Sequence, residues 1–275
     1  MIMNPRIPYI FKKIFGDRDN TESLIDFFNS ILNLEHKIKH LEILDNHVFS
    51  KFLCENSKRI DTICYLDNDE SKNITIQIAN SCLSLNNIFK LFEENSFKKI
   101  QDSNSSSNYI CITILNSNYF NANLVHSIYK LDDNLLNTIG INEMHFIELE
   151  KFQEIDSLDE SLLNKTDSLS QWLMLLKEPE SYATRIFEFN NSNIRKIKSS
   201  LYKLNSDSSL KSVYDLYEKS MYDEISAYHY ALNKGIEKGK LKAEKITLAQ
   251  KLLGFIDIET ICELTELTEE EIKNF

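Results

Sequence analysis

An α/β fold followed by an all-α C-terminal region is what this sequence predicts, on three patterns. An apolar helical period stands near the N-terminus. Runs of β type follow, the first two joined by a turn-rich segment. Past Phe152 only helical periods remain.

The elements follow in chain order. From Thr21 to Leu32, Leu24, Phe27, Phe28, Ile31 and Leu32 fall on one side at helical spacing, with Asn20 or Thr21 as N-cap. The stretch Arg59 to Leu66 alternates. The polar segment Asp67 to Asn73 then breaks the run, and Ile74, Ile76 and Ile78 alternate with Thr75, Gln77 and Ala79. This pattern predicts a β-hairpin. Leu83 to Ile100 returns to helical spacing through Ile88, Leu91, Phe92 and Phe97, and Gln101 to Asn108 is a polar surface connection. Three β-like runs follow: Tyr109 to Leu115, Leu124 to Leu131 and Met144 to Phe152. The first is apolar enough for a central strand covered on both faces.

Helical patterns then run from Leu158 onward, including Ser170 to Lys177 around the single Trp172 and a long stretch from Val213 to Leu253. Gly235 and Gly239 inside the long stretch each cost on the order of 1 kcal/mol relative to Ala, which predicts an exposed or partner-stabilised helix. Gly254 offers a C-cap. Asp257 to Phe275 predicts two short helices, the second opened by Thr268 with Glu271 at capping-box spacing. The expected divisions are an α/β core over residues 1–153, a helical region over 154–232 and a C-terminal helical tail over 233–275.

Composition limits the function classes. With 42% hydrophobic residues, 16 Phe and 12 Tyr in 275 residues, the chain has the material for a folded core, and 5 Gly with 3 Pro exclude collagen-like or low-complexity disorder. Lys and Arg number 31 against 42 Asp and Glu, so a net charge of -11 excludes a globally basic nucleic-acid binder and leaves local basic patches. No apolar run approaches the roughly 20 residues of a membrane helix, and the N-terminal stretch lacks the apolar run of a secretory leader; a cytoplasmic protein is expected. The 5 cysteines, Cys54, Cys64, Cys82, Cys111 and Cys262, form no CxxC pair and no zinc spacing with histidine, which predicts buried reduced thiols. No glycine-rich phosphate loop or Ser/His/Asp order marks another enzyme class.

Chemistry concentrates in residues 58–80. Residues two apart on a strand share a face, so Asp61 can lie with Thr75 and Gln77 while the isoleucines enter the core. A carboxylate beside a second carboxylate on the next strand is what a hydrated Mg²⁺ takes, but the second acid is not evident in the pattern. Arg59 is placed either to meet a phosphate or to ion-pair with Asp61. Asp67, Asp69 and Glu70 have the composition of an exposed turn. His126 and His145 lie in β-like runs as packed imidazoles. Arg6, Lys12, Lys13 and Arg18 make the beginning of the chain locally basic, as do Arg195, Lys196, Lys198, Lys203 and Lys211 later.

Four segments together carry a resemblance: Phe11 to Leu32, Arg59 to Asp61, Met144 to Phe152, and Gly235 to Phe275. In collinear order over nearly the whole chain, they resemble the recombination-promoting nuclease (Rpn)/transposase family of the PD-(D/E)xK nuclease superfamily. The resemblance implies a restriction-endonuclease-like mixed sheet flanked by helices. It also implies a Mg²⁺-dependent attack of water on a DNA phosphodiester, with DNA as partner. Asp61 matches the family's first strand carboxylate and metal ligand. The family's next strand has the form Asn-Ile-Glu-hydrophobic-Gln; here it is Asn73, Ile74, Thr75, Ile76, Gln77. Thr75 therefore stands where the second carboxylate is expected, and Gln77 stands where Lys occurs in many relatives.

Threonine brings no charge to hold a divalent cation. The segment Ser81 to Ile100 also lacks the Arg and Tyr that the family carries there, though Lys90, Lys98 and Lys99 remain. Glu22 and Asp26, four residues apart on the polar face of the first helix, either solvate that helix or supply a replacement acid; Glu22 is the candidate metal ligand. Arg59, Lys12 and Lys13 are the candidate DNA contacts. Two expectations follow: a DNA endonuclease with a degenerate site in which Asp61 and Gln77 act, or a catalytically inactive nuclease fold that binds DNA or protein. A homodimer through the C-terminal helices is a further expectation.

Overall fold

A computed structural model describes residues 2–44, 59–79, 109–130, 142–153, 155 and 159–274. It divides into two compact units, Met1–Tyr222 and Asp223–Phe275. The expected helix from Leu83 to Ile100, the loop from Gln101 to Asn108, and Cys54 and Cys82 lie outside the described residues.

The first unit opens with α1 (Pro8–Phe15), started by a proline whose missing N–H costs nothing in a first turn. Its buried Ile10, Phe11, Ile14 and Phe15 pack on the sheet. Gly16 closes it by donating its N–H to the Lys12 carbonyl, and a Cβ there would stand 2.5 Å from that oxygen, so only glycine fits. Helix α2 (Thr21–Leu32) has the predicted bounds and buries the predicted apolar face. Asn20 is the N-cap residue, as expected, but makes no side-chain cap. Asn20 turns its amide to the Ile14 carbonyl and the Ser200 hydroxyl, and Thr21 donates to the Arg18 carbonyl, so neither side chain caps the helix. Asn33, in the left-handed region at φ 41°, ends α2.

Six strands form one mixed sheet: β1 (Ile38–Ile43), β2 (Arg59–Leu66), β3 (Ser71–Ala79), β4 (Tyr109–Leu115), β5 (His126–Lys130) and β6 (Glu143–Glu148), in spatial order β1-β2-β3-β4-β6-β5. The β1–β2, β2–β3 and β5–β6 pairs are antiparallel, while β3–β4 and β4–β6 are parallel. The hairpin turn is shorter than the polar composition predicts. Lys72 and Asn73 pair with Cys64 and Ile63, which leaves Asp67 to Glu70 as the turn, with Asp69 at φ 65°. Strand β4 is the interior strand expected, with six consecutive buried residues.

Strand β6 stops at Glu148, short of the predicted Phe152. The buried Glu148 carboxylate takes the Tyr119 and Phe120 backbone N–H groups and the Lys151 ammonium, which turns the chain into a short 3₁₀ segment, Leu149–Lys151. β5 begins at His126, two residues after the predicted Leu124, which is exposed; Leu131 lies outside the described residues.

The helices α3 (Glu160–Leu163), α4 (Ser168–Lys177), α5 (Tyr182–Asn190) and α6 (Ser192–Asn205) pack with this core. Trp172 of α4 is fully buried against Phe15 and Phe27, with ring centroids 5.9 and 5.2 Å away. Helix α7 spans Ser208–Leu252 and contributes its residues up to Tyr222 to the first unit.

In the second unit, the remainder of α7 precedes α8 (Ile258–Thr265) and α9 (Glu269–Lys273). Gly254, at φ +86°, makes the turn that the sequence predicts. Asp257 caps α8, and Thr268 with Glu271 closes the predicted capping box on α9. Ala249, Ile261, Leu267 and Ile272 form its small core, while Gly235 and Gly239 stand exposed on α7. No helix among the described residues is long and apolar enough to cross a membrane.

Candidate active site

The hairpin register places the candidate residues. Asp61 of β2 pairs across the ladder with Thr75 of β3, and Arg59 pairs with Gln77, so the four side chains stand on one face while Ile60, Ile74, Ile76 and Ile78 enter the core. β4 extends this face. Its parallel register sets Cys111 beside Thr75 and Thr113 beside Gln77.

The polar groups bond to one another. Thr75 Oγ1 donates to Asp61 Oδ1 at 2.7 Å, and Arg59 Nε donates to Asp61 Oδ2 at 3.0 Å. The ion pair is nearly enclosed, with 12% of the Arg59 and 14% of the Asp61 side chain exposed. Gln77 Nε2 donates to Thr113 Oγ1 at 3.3 Å inside the sheet. The Lys12 ammonium of α1 is held below the usual lysine range by partial burial, a lowering that the Asp61 carboxylate opposes and the Arg59 guanidinium reinforces. Burial pushes the Cys111 thiol up to about 12, so it stays protonated and unreactive at neutral pH.

This donor set does not fit Mg²⁺. Mg²⁺ is normally held by one or two free carboxylates, with waters and phosphate oxygens completing the octahedron. Among the described residues the one carboxylate on this face has both oxygens engaged, one of them by a guanidinium, and the position across the ladder holds a neutral hydroxyl that points its proton at the acid. No cluster of three or more His, Cys, Asp or Glu able to hold a metal occurs among the described residues.

The other candidates lie in different surroundings. Glu22 faces solvent, with its side chain 83% exposed and its carboxylate 3.8 Å from Lys196 Nζ on α6. Asp26, one turn along, accepts the Trp172 indole N–H at 2.9 Å. Lys13 is exposed. Asp67 pairs with His36 at 2.9 Å, and Asp69 and Glu70 are exposed turn residues. His126 Nε2 and His145 Nδ1 share a hydrogen bond at 2.9 Å, the packed imidazoles expected. In the second basic stretch, Lys198 is buried and its charge is met by Glu188 at 2.7 Å, while the exposed Arg195 donates to the Glu188 and Phe189 carbonyls.

Thr113 and Cys111 join this face without having been singled out from the sequence. Their signal is present: in Tyr109 to Leu115 the small polar positions 111 and 113 alternate with Ile110, Ile112 and Ile114. What the pattern lacks is the parallel register that brings them to Thr75 and Gln77.

A carboxylate-bearing hairpin beside a parallel strand, with helices packed on the mixed sheet, is the framework of a nuclease-type α/β protein. The family model described as PD-(D/E)XK nuclease family transposase matches residues 5–231, and the chain belongs to that family. No curated protein and no solved structure matches it.

Proposed function

We propose that this chain is a nuclease-fold protein that binds DNA but has lost metal-dependent hydrolysis. The observation that carries this reading is the 2.7 Å hydrogen bond from the Thr75 hydroxyl to the Asp61 carboxylate, at the position where the resemblance calls for a second acid. Nucleases of this superfamily generally use divalent metals. A neutral residue here removes one of the charges that compete with water for Mg²⁺, and Arg59 offsets the charge that remains. The family's description as a transposase supports DNA as the polymer bound and recombination as the setting. The exposed apolar and basic length of α7 supports self-association through the C-terminal helices as an accompanying property.

The test compares the wild-type protein with Thr75→Glu on supercoiled and linear duplex DNA, in Mg²⁺ and in EDTA. Wild type is expected to retard duplex DNA without nicking it. Thr75→Glu, which faces Asp61 in register, is expected to take up Mg²⁺ in calorimetry where wild type does not. Nicking by wild type in Mg²⁺, abolished by Asp61→Ala, overturns the proposal and restores Asp61 as a metal ligand.

A further inference from the structure

Exchange of an acid for a hydroxyl alters which sign of ligand the strand pair favours. In a metal-gripping hairpin, two carboxylates face each other across β2 and β3 and the local charge is negative. Here, among the described residues, the charged groups around Thr75 are the Asp61 carboxylate, the Arg59 guanidinium bonded to it, and the partly buried Lys12 of α1, the helix that packs on β2 and β3, whose charge acts on both. Two cations against one anion leave that set with a formal surplus of one positive charge.

The surplus stands where charge counts. Arg59 and Asp61 are 12% and 14% exposed, so the charges act through an effective dielectric nearer 20 than 80, roughly four times more strongly than in open water. Arg59 spends its Nε–H on Asp61, and no described residue takes its terminal Nη1 and Nη2 donors. A guanidinium anchored at one nitrogen, with its fork unclaimed by those residues, is oriented for an oxyanion, because the planar fork matches two oxygens of a phosphate. Thr75 occupies the other oxygen of Asp61, so the carboxylate serves as a fixed mount for the guanidinium.

We propose that Arg59 and Lys12, with Asp61 as the anchor of Arg59, form a phosphate-binding site that supplies its own cation and works without a metal. The ligand is a phosphodiester of the DNA backbone, which rests on the DNA-binding reading above; the guanidinium takes the electrostatic place that a divalent ion holds in catalytic relatives.

The full-length protein is titrated in EDTA with a fluorescent DNA duplex by anisotropy and with inorganic pyrophosphate by calorimetry. Both are expected to bind, and added Mg²⁺ is expected not to strengthen either. Arg59→Gln and Lys12→Gln should each weaken pyrophosphate binding about tenfold and reduce the salt slope of duplex binding by about one. Lys165→Gln, the same charge change at an exposed position outside the site, should weaken neither by more than about twofold. Asp61→Asn should tighten pyrophosphate binding, because it removes a negative charge and keeps an acceptor for Arg59; a metal ligand would give the opposite sign. Melting curves exclude unfolding, and Arg59→Lys should recover part of the affinity.

Binding that requires Mg²⁺, weakening by Asp61→Asn, or an Arg59→Gln variant indistinguishable from Lys165→Gln overturns the site. If pyrophosphate binds through Arg59 and duplex DNA does not bind, the site stands and the DNA reading falls. If duplex binds and pyrophosphate does not, the DNA reading stands and this site falls.

Discussion

Acid should loosen the β5–β6 edge of the sheet through the His126–His145 pair. His145 is 1% exposed and His126 half-buried, and their rings share one hydrogen bond at 2.9 Å. Desolvation by burial lowers both imidazoles to about 4, and the charge of His145 adds to the lowering at His126, where Glu143 opposes it. Lys130 adds to the lowering at His145. The Glu143 carboxylate lies 3.1 Å from His145 Nε2 without an aligned hydrogen bond, and its charge works against the lowering that burial imposes at His126.

The folded pKa values lie below the unfolded value near 6.5, so between about 6.5 and about 4 the unfolded chain binds more protons. The neutral pair contributes its full stability above pH 6.5 and loses it as the pH falls towards 4. At pH 5 one such imidazole costs about 2 kcal/mol relative to pH 7.5, and two cost about 4 kcal/mol at most, since each proton raises the cost of the next. Against a typical stability of about 5–15 kcal/mol that is a large share. Urea denaturation of wild type and of His126→Leu/His145→Leu at pH 7.5 and pH 5 should show wild type losing about 2–4 kcal/mol more than the variant between the two pH values. Equal losses in both proteins would assign the acid sensitivity to other groups and defeat this account.

Two more perturbations test the packing that holds the site. Lys151→Met strips the buried Glu148 carboxylate of its ammonium, which also bonds the Phe120 and Ala122 carbonyls; a loss of about 3–5 kcal/mol is expected in urea titrations, with partial recovery on adding Glu148→Gln. A loss under about 1 kcal/mol means that water replaces the lysine. Trp172→Phe keeps an aromatic ring against Phe15 and Phe27 but removes the donor to Asp26, and thermal melts should report about 1–3 kcal/mol of destabilisation. Unchanged melting would show the indole N–H bond to be without net worth.

Much of the fold is legible in the sequence because its determinants are local. Period-3.6 burial sets the bounds of α2, and period-2 burial puts Asp61, Thr75 and Gln77 on one face. In the tail, the capping-box spacing of Thr268 and Glu271 marks the start of α9. Where expectation and structure part, the cause is a partner distant in sequence. Strand β6 ends early because Glu148 is claimed by backbone at 119 and 120, and the Asn20 side chain leaves the start of α2 uncapped because it is drawn to Ile14 and Ser200. The likeness to nucleases is legible too, since it rests on ordered segments.

The order of residues was thus enough to establish the α/β succession of elements and the polar face of the hairpin, both of which depend on neighbours a few bonds or one strand turn away. It was not enough to show that Arg59 grips Asp61 instead of standing free, that Lys12 of α1 adds its charge to the pair, or that Thr113 of β4 holds Gln77; the folded arrangement settles these. Local spacing sets which way a side chain faces. What it meets there depends on strand pairing and helix docking, which bury apolar surface gathered from the whole unit.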